Sequence, residues 1–175
     1  MRKARIVFGF FMLGLCAISM MAAQADFSGT WVLDMQKTRS LPKSLKGLTM
    51  VVTQNGQQLV VQRQMNGSGG RETIGLSMVM PQATYSLDGE EKAVQFAGMN
   101  LKIKAKWAKD GETLDLSVIQ ENNMSTQTPG FHVKERWTLS DGGQVLKVQR
   151  SVTTGGGTGM ITLIFGKGAS GAPPQ

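Results

Sequence analysis

From residue 29 onward, apolar and polar side chains alternate in short runs separated by turn-forming residues, the period-two signature of half-buried strands. The clearest run is Leu101-Lys102-Ile103-Lys104-Ala105-Lys106-Trp107, whose apolar members face one way and whose lysines face the other. Asp110-Gly111 follows, a dipeptide suited to the positive φ angles of a two-residue hairpin turn, and then Leu114, Leu116 and Val118 on alternate positions. That register sets Trp107 opposite Leu114 and Lys106 opposite Asp115. Two more hairpins share the design: residues 51–54 and 57–65 flank Asn55-Gly56, and residues 133–139 and 145–152 flank Asp141-Gly142-Gly143. Further strands are predicted near residues 29–35, 74–80, 83–88, 92–97 and 160–165. Most links are short, so strands adjacent in sequence should pair as a meander. Strands with one apolar face each bury it best by closing on themselves, which predicts an all-β, antiparallel up-and-down β-barrel of about eight to ten strands. The longer links are residues 36–48, which include Pro42, and the glycine-rich residues 66–73.

The first 25 residues break this pattern. Arg2, Lys3 and Arg5 precede an apolar run from Ile6 to Met21, and Ala23-Gln24-Ala25 closes it. Charged, apolar and small-residue segments in that order predict a Sec-type signal peptide over residues 1–25, cleavage after Ala25, and a periplasmic or secreted protein. A membrane anchor fits less well, because Gly9, Gly14 and Ser19 interrupt the run and it falls short of the ~20 apolar residues of a spanning helix. Cys16 is the single cysteine, and the large Leu15 before it argues against lipid attachment there. The expected mature chain, 175 less 25 residues, therefore has 150 residues and no thiol, and its fold must stand on its own core without a disulfide. That length suffices for one barrel domain over residues 26–165, followed by a Gly-, Ser- and Pro-containing tail at 166–175 expected to be disordered.

Charge changes the picture once the signal is set aside. It carries three of the 19 basic residues and none of the 12 acidic ones, so the net charge falls from +7 to 16 − 12 = +4. The remaining lysines alternate along strands and form no dense run, so no nucleic-acid partner is expected, and the mature protein is not expected to be membrane-embedded.

Two short motifs frame the presumed barrel: Phe27-Ser28-Gly29-Thr30-Trp31-Val32-Leu33 at its start and Arg136-Trp137-Thr138-Leu139-Ser140-Asp141-Gly142-Gly143 near its end. A first strand opening Gly-x-Trp resembles the calycin superfamily of lipocalins and fatty-acid-binding proteins. The pair of motifs resembles the small exported bacterial lipocalin-like proteins whose chains open F-x-G-T-W-x-L and carry RW-x-L-S-x-D/G-G near the end. The resemblance implies a barrel plugged at one end by Trp31 with a basic side chain stacked on its ring. Arg150 or Arg136 would fill that place, a contact of roughly 0.5–2 kcal/mol. Gly29, Trp31, Trp107 and Arg136 are accordingly expected to serve the fold.

Alternation through the last hairpin puts Phe131, Val133, Glu135, Trp137 and Leu139 on one face, with Leu146, Val148, Arg150 and Val152 across from them. Glu135 faces Arg150 directly if the turn centres on Gly142-Gly143, and diagonally if it centres on Asp141-Gly142. Arg63 follows Leu59 and Val61 on the inner side of its strand. Charges on apolar faces must be paired or hydrated. They could line a pocket in which Arg63 and Arg150 anchor an anionic headgroup and Glu135 orients one of them. They could equally form a structural ion pair, or an arginine could cap Trp31. Met50, Met78, Leu101, Ile103, Leu116, Val118 and Trp137 would supply the apolar lining, and Met80 also falls on an inward position.

No catalytic residue, cofactor or metal site is expected. His132 is the only histidine and falls on the outer face beside Lys134. No serine or threonine lies in a nucleophile-and-base motif, Glu90-Glu91 sits at a turn after Asp88-Gly89, and residues 153–160 are glycine-rich without the Lys-Ser/Thr of a phosphate loop. The leading expectation is a non-enzymatic barrel that binds a small apolar or amphipathic, fatty-acid-like ligand. The alternative is a module that binds a protein partner through loops 36–48 or 121–130.

Overall fold

The computed structural model describes residues 24–67, 80–122 and 129–168. Within them ten β-strands form one antiparallel sheet: β1 (Gly29–Leu33), β2 (Gly47–Gln54), β3 (Gln58–Asn66), β4 (Gln82–Ser86), β5 (Lys92–Phe96), β6 (Met99–Trp107), β7 (Leu114–Gln120), β8 (Phe131–Ser140), β9 (Val145–Thr154) and β10 (Gly157–Lys167). The order around the sheet is β4-β3-β2-β1-β10-β9-β8-β7-β6-β5, so the first strand pairs with the last. The strip thus curls into a nearly closed barrel, with the two edges β4 and β5 not hydrogen-bonded to each other and β4 packed against β6 instead. This is the up-and-down barrel that the one-sided strands imply. The expected strand at 74–80, with Met78, and most of loop 121–130 lie outside the described residues.

Alternation decides which side chains point in. In β7, Leu114, Leu116, Val118 and Gln120 are buried while the residues between them are half-exposed. Lys106 and Asp115, and Trp107 and Leu114, stand opposite each other as the register predicts. Asn55 closes its turn by accepting, through Oδ1, the N–H groups of Gln57 and Gln58, and Asp110 does the same for Glu112 and Thr113. The third turn carries three successive left-handed residues, Asp141, Gly142 and Gly143, at φ 51°, 64° and 83°. It centres on Gly142-Gly143, and Glu135 is therefore directly opposite Arg150.

Several boundaries differ from the expected ones. Strand β2 starts at Gly47 because Leu48 and Met50 continue its inward row. Ala97-Gly98, both left-handed at φ 49° and 78°, makes a two-residue hairpin that pairs Phe96 with Met99. The glycine-rich stretch is mostly strand, with only Gly155 and Gly156 between β9 and β10. Strand β10 runs on to Lys167, past the expected barrel end, and residues 169–175 lie outside the described residues. The link between β1 and β2 is tied down: Leu45 and Thr38 are buried, and Thr38 Oγ1 accepts the Ile164 N–H at 3.0 Å.

One barrel end is plugged by the segment before β1. Phe27 is fully buried, stacked on Trp107 at 5.9 Å between ring centres and edge-on to Trp137 at 5.7 Å. Its carbonyl accepts the Trp31 indole N–H at 2.9 Å and its N–H donates to Gln54 Oε1 at 3.1 Å. The cation over Trp31 is Lys167, with Nζ 5.4 Å from the ring centre, and neither Arg150 nor Arg136. Lys167 stands opposite Trp31 across the β1–β10 pairing. Arg136, one position off the inward row of Glu135 and Trp137, lies on the outer face and grips Asp115 at 2.7 and 2.9 Å. Gly29 explains the spacing of the opening motif: its φ is +139°, and a Cβ there would sit 3.0 Å from Lys167 Cε. A glycine two residues before Trp31 lets the lysine stem cross the strand and cover the indole.

Candidate functional site

The barrel interior holds a cluster of charge. Strand β3 carries Arg63 inward after Leu59 and Val61, and the β8–β9 pairing supplies Glu135 and Arg150. Glu135 Oε2 accepts Arg63 Nη2–H at 3.0 Å and the Trp137 indole N–H at 2.9 Å, and Oε1 lies 3.5 Å from Arg150 Nη1. The three charged side chains are 7%, 8% and 1% exposed for Arg63, Glu135 and Arg150. Burial alone would raise the Glu135 pKa, but Arg63, Arg150 and the indole N–H together hold it below the usual carboxylate value, so it is ionised. Burial pushes Arg150 down to about 10, which still leaves it a cation at neutral pH. Tyr85, on β4 beside Arg63, has its hydroxyl pKa raised by burial and is neutral.

Among the described residues two arginines share one glutamate. Arg63 Nη1 is buried and has no hydrogen-bond partner. A buried guanidinium N–H left unmade costs more than the usual 1–3 kcal/mol of a neutral donor. The Arg63 side chain lines a cavity of about 150 Å3. Arg63, Glu135 and Arg150 form the polar side of this space, and Met50, Met65, Leu163 and Phe165 are prominent on its apolar side. A second void of about 10 Å3, room for one water, touches Arg63, Tyr85, Glu135 and Arg150.

Of the residues expected to bind ligand, Arg63, Glu135, Arg150 and Met50 meet at this cavity. Trp137 buttresses Glu135 from within the core. Leu101, Ile103, Leu116 and Val118 are buried in the interior, with Leu116 and Val118 at the water-sized void. Sequence reasoning does not find Tyr85, Met65, Phe165 or Lys167. Period two does reach Met65, which continues the row Leu59, Val61, Arg63, and Tyr85, which alternates with Ala83. No local signal marks Lys167, whose role depends on β1 pairing with β10.

A larger groove of about 580 Å3 crosses the outer face of β6–β9 past Lys104, Lys106, Lys134 and Arg136. There Arg136 is already paired with Asp115 at a solvated surface. His132 lies on this outer side, its pKa lowered by partial burial and by Lys134. Among the described residues, no three His, Cys, Asp or Glu side chains are grouped to hold a metal, and no helix is long and apolar enough to cross a membrane.

No protein-family model matches the chain, and no curated protein sequence matches it. Among solved structures it is similar to zebrafish ileal bile acid-binding protein complexed with cholic acid, at 12% identity over 81% of this chain and 98% of that one, TM-score 0.49. It is also similar to the fatty-acid-binding protein isolated from Manduca sexta, at 11% identity over 81% and 99% of the two chains, TM-score 0.47.

Proposed function

We propose that this barrel is an exported carrier that holds a small amphipathic anion in its interior, the anion on Arg63 and the apolar body along Met50, Met65 and Phe165. The observation that carries the reading is the buried, unpartnered Nη1 of Arg63, a residue that lines a cavity together with Glu135 and Arg150. An anion placed there accepts the open Arg63 N–H in a charge-assisted hydrogen bond. Glu135 holds the Arg63 guanidinium by Nη2, which keeps it in place to present Nη1. The role is binding without turnover, because the described residues of the site form a charge clamp and include no nucleophile with a base.

Export rests on the order of charged, apolar and small residues before Asp26. Cleavage after Ala25 would leave the Phe27 plug and its bonds to Gln54 and Trp31 intact. Amino-terminal sequencing of protein recovered from outside the cytoplasm should begin at Asp26.

The binding reading is tested by thermal unfolding with a panel of alkyl carboxylates from acetate to palmitate. A ligand at 100 times its Kd stabilises by about 2.7 kcal/mol, a rise of about 5–10 °C in Tm. At least one carboxylate should raise the Tm of the native protein and leave that of Arg63→Met unchanged. If the whole panel leaves the native Tm unmoved, the reading is overturned.

A further inference from the structure

The outward charges of the barrel strands lie on one half of it. On β6, β7, β8 and β9 the outward positions carry Lys102, Lys104, Lys106, Lys134, Arg136 and Lys147 against Asp115, a surplus of 6 − 1 = 5 positive charges. The outward positions of β4, β3, β2, β1 and β10 carry no charged residue and hold groups such as Thr49, Val51, Val60, Gln62 and Thr162. Lys167 belongs to the inward row of β10, where it covers Trp31. Within the basic half Asp115 is taken by Arg136, and Lys102 is shared by Glu91 and Glu121. Lys104, Lys106, Lys134 and Lys147 make no ion pair among the described residues.

Strand register sets their layout. Lys104, Ser117, Lys134, Ser151 and Met160 form one row across the strands, and Lys106, Asp115, Arg136 and Gln149 form the next. Lys147 stands opposite Thr138, one row further on. At about 4.8 Å between strands and about 3.3 Å per residue, the cations spread over about 14 Å across the strands and about 20 Å along them. The groove of about 580 Å3 lies in this field, lined by Lys104, Lys106 and Lys134, and Met160 lines it from β10 while 76% exposed. A single small anion is met by cations that converge on one point, and these do not converge. Like charges side by side repel until anions come among them. A layer of anionic headgroups matches a two-dimensional spread of cations, and an exposed thioether beside it suits the boundary between headgroups and acyl chains. The outward positions of β6–β9 hold no Phe, Tyr or Trp on which a nucleic-acid base could stack.

We propose that this face docks the barrel on an anionic bilayer, with Lys104, Lys106, Lys134 and Lys147 against the headgroups and Met160 at the boundary. Arg63 and the cavity it lines take no part, so the proposal stands or falls apart from the carrier reading. The test is co-sedimentation with vesicles of phosphatidylcholine alone and of phosphatidylcholine containing about 30% phosphatidylglycerol. Salt is set at about 10 mM, where charges act over about 30 Å, and at about 1 M, where they act over about 3 Å. The native protein should bind the phosphatidylglycerol vesicles at the lower salt and be released at the higher. Each lysine near such a surface contributes about fivefold in affinity, so Lys104→Gln with Lys134→Gln should weaken binding about 25-fold. Lys134 is exposed, Lys104 half-buried, and neither is ion-paired among the described residues, so the core is spared, and Lys104→Arg with Lys134→Arg should bind as the native protein does. Lys43→Gln with Lys46→Gln removes the same net charge from exposed positions between β1 and β2 and should leave binding nearly unchanged. Equal binding to phosphatidylcholine alone would overturn the proposal, as would a control pair as damaging as the Lys104 and Lys134 pair. Release by inorganic phosphate at constant ionic strength would make the groove a small-anion site instead. Tighter binding to a short DNA duplex than to vesicles at equal phosphate concentration would assign the face to a linear polyanion, and either result overturns docking on a bilayer.

Discussion

Exchanging Glu135 for glutamine keeps its shape and removes its charge, and the structure makes the consequence calculable. The carboxylate is the one anion facing Arg63 at 3.0 Å and Arg150 at 3.5 Å among the described residues, and it also accepts the Trp137 N–H. Without its charge Arg63 loses the carboxylate that holds its Nη2. Removing one partner of a buried pair costs about 3–5 kcal/mol, because the other is left uncompensated. For a domain of this size the loss corresponds to a fall of about 6–20 °C in Tm. Arg63→Met, in the ligand-free protein, should behave differently. It removes the guanidinium with the unmade Nη1 bond and leaves Glu135 with Arg150 and the indole, so stability should change by no more than about 1 kcal/mol in either direction. Urea unfolding followed by tryptophan fluorescence reads both variants, with an unchanged m-value confirming that the native and unfolded states are comparable. If Arg63→Met proves as damaging as Glu135→Gln, Arg63 is a required structural member of the network and its Nη1 is no donor held open for a ligand.

Other consequences are equally open to measurement. Because Glu135 titrates below the ordinary carboxylate value in the folded state, its contribution is complete above about pH 4.5 and is lost as pH falls through the depressed folded value. Tm should therefore drop as the pH is lowered below about 4.5 in the native protein, and more shallowly in Glu135→Gln. Gly29→Ala combines a φ of +139° with a Cβ 3.0 Å from Lys167 Cε, and should lose about 1–3 kcal/mol by urea unfolding. An equal stability for this variant would mean that Lys167 does not need the space. Ala97 adopts φ 49° in its hairpin turn, so Ala97→Gly should gain about 0.5–1 kcal/mol. A loss there would show that the turn relaxes without strain.

Much of the barrel was legible in the chain because a strand's two faces are written in adjacent residues. The alternation of Leu101 to Trp107 and the Asp110-Gly111 turn predict the β6–β7 register without reference to anything distant. The inward turn of Glu135 and Arg150 followed from the same rule. The charge cluster was only half legible. Period two says that Arg63 points inward, but that it crosses the barrel to share Glu135 with Arg150 depends on how the sheet curls. The cap on Trp31 is illegible for the same reason: Arg150 and Arg136 suit the place by residue type, while Lys167 reaches the ring only because the last strand pairs with the first.

The amino-acid sequence by itself determined the strand pattern, the three turn-centred hairpins and the inward direction of Arg63, Glu135 and Arg150, since local sterics and alternation need no more than a few neighbouring residues. The tertiary structure alone decided the closure of β1 on β10, the seat of Lys167 over Trp31, the unpartnered Nη1 of Arg63 and the volume of the cavity beside it. Those features are distances between residues far apart in the chain, and they exist only once the sheet has curled and its side chains have packed.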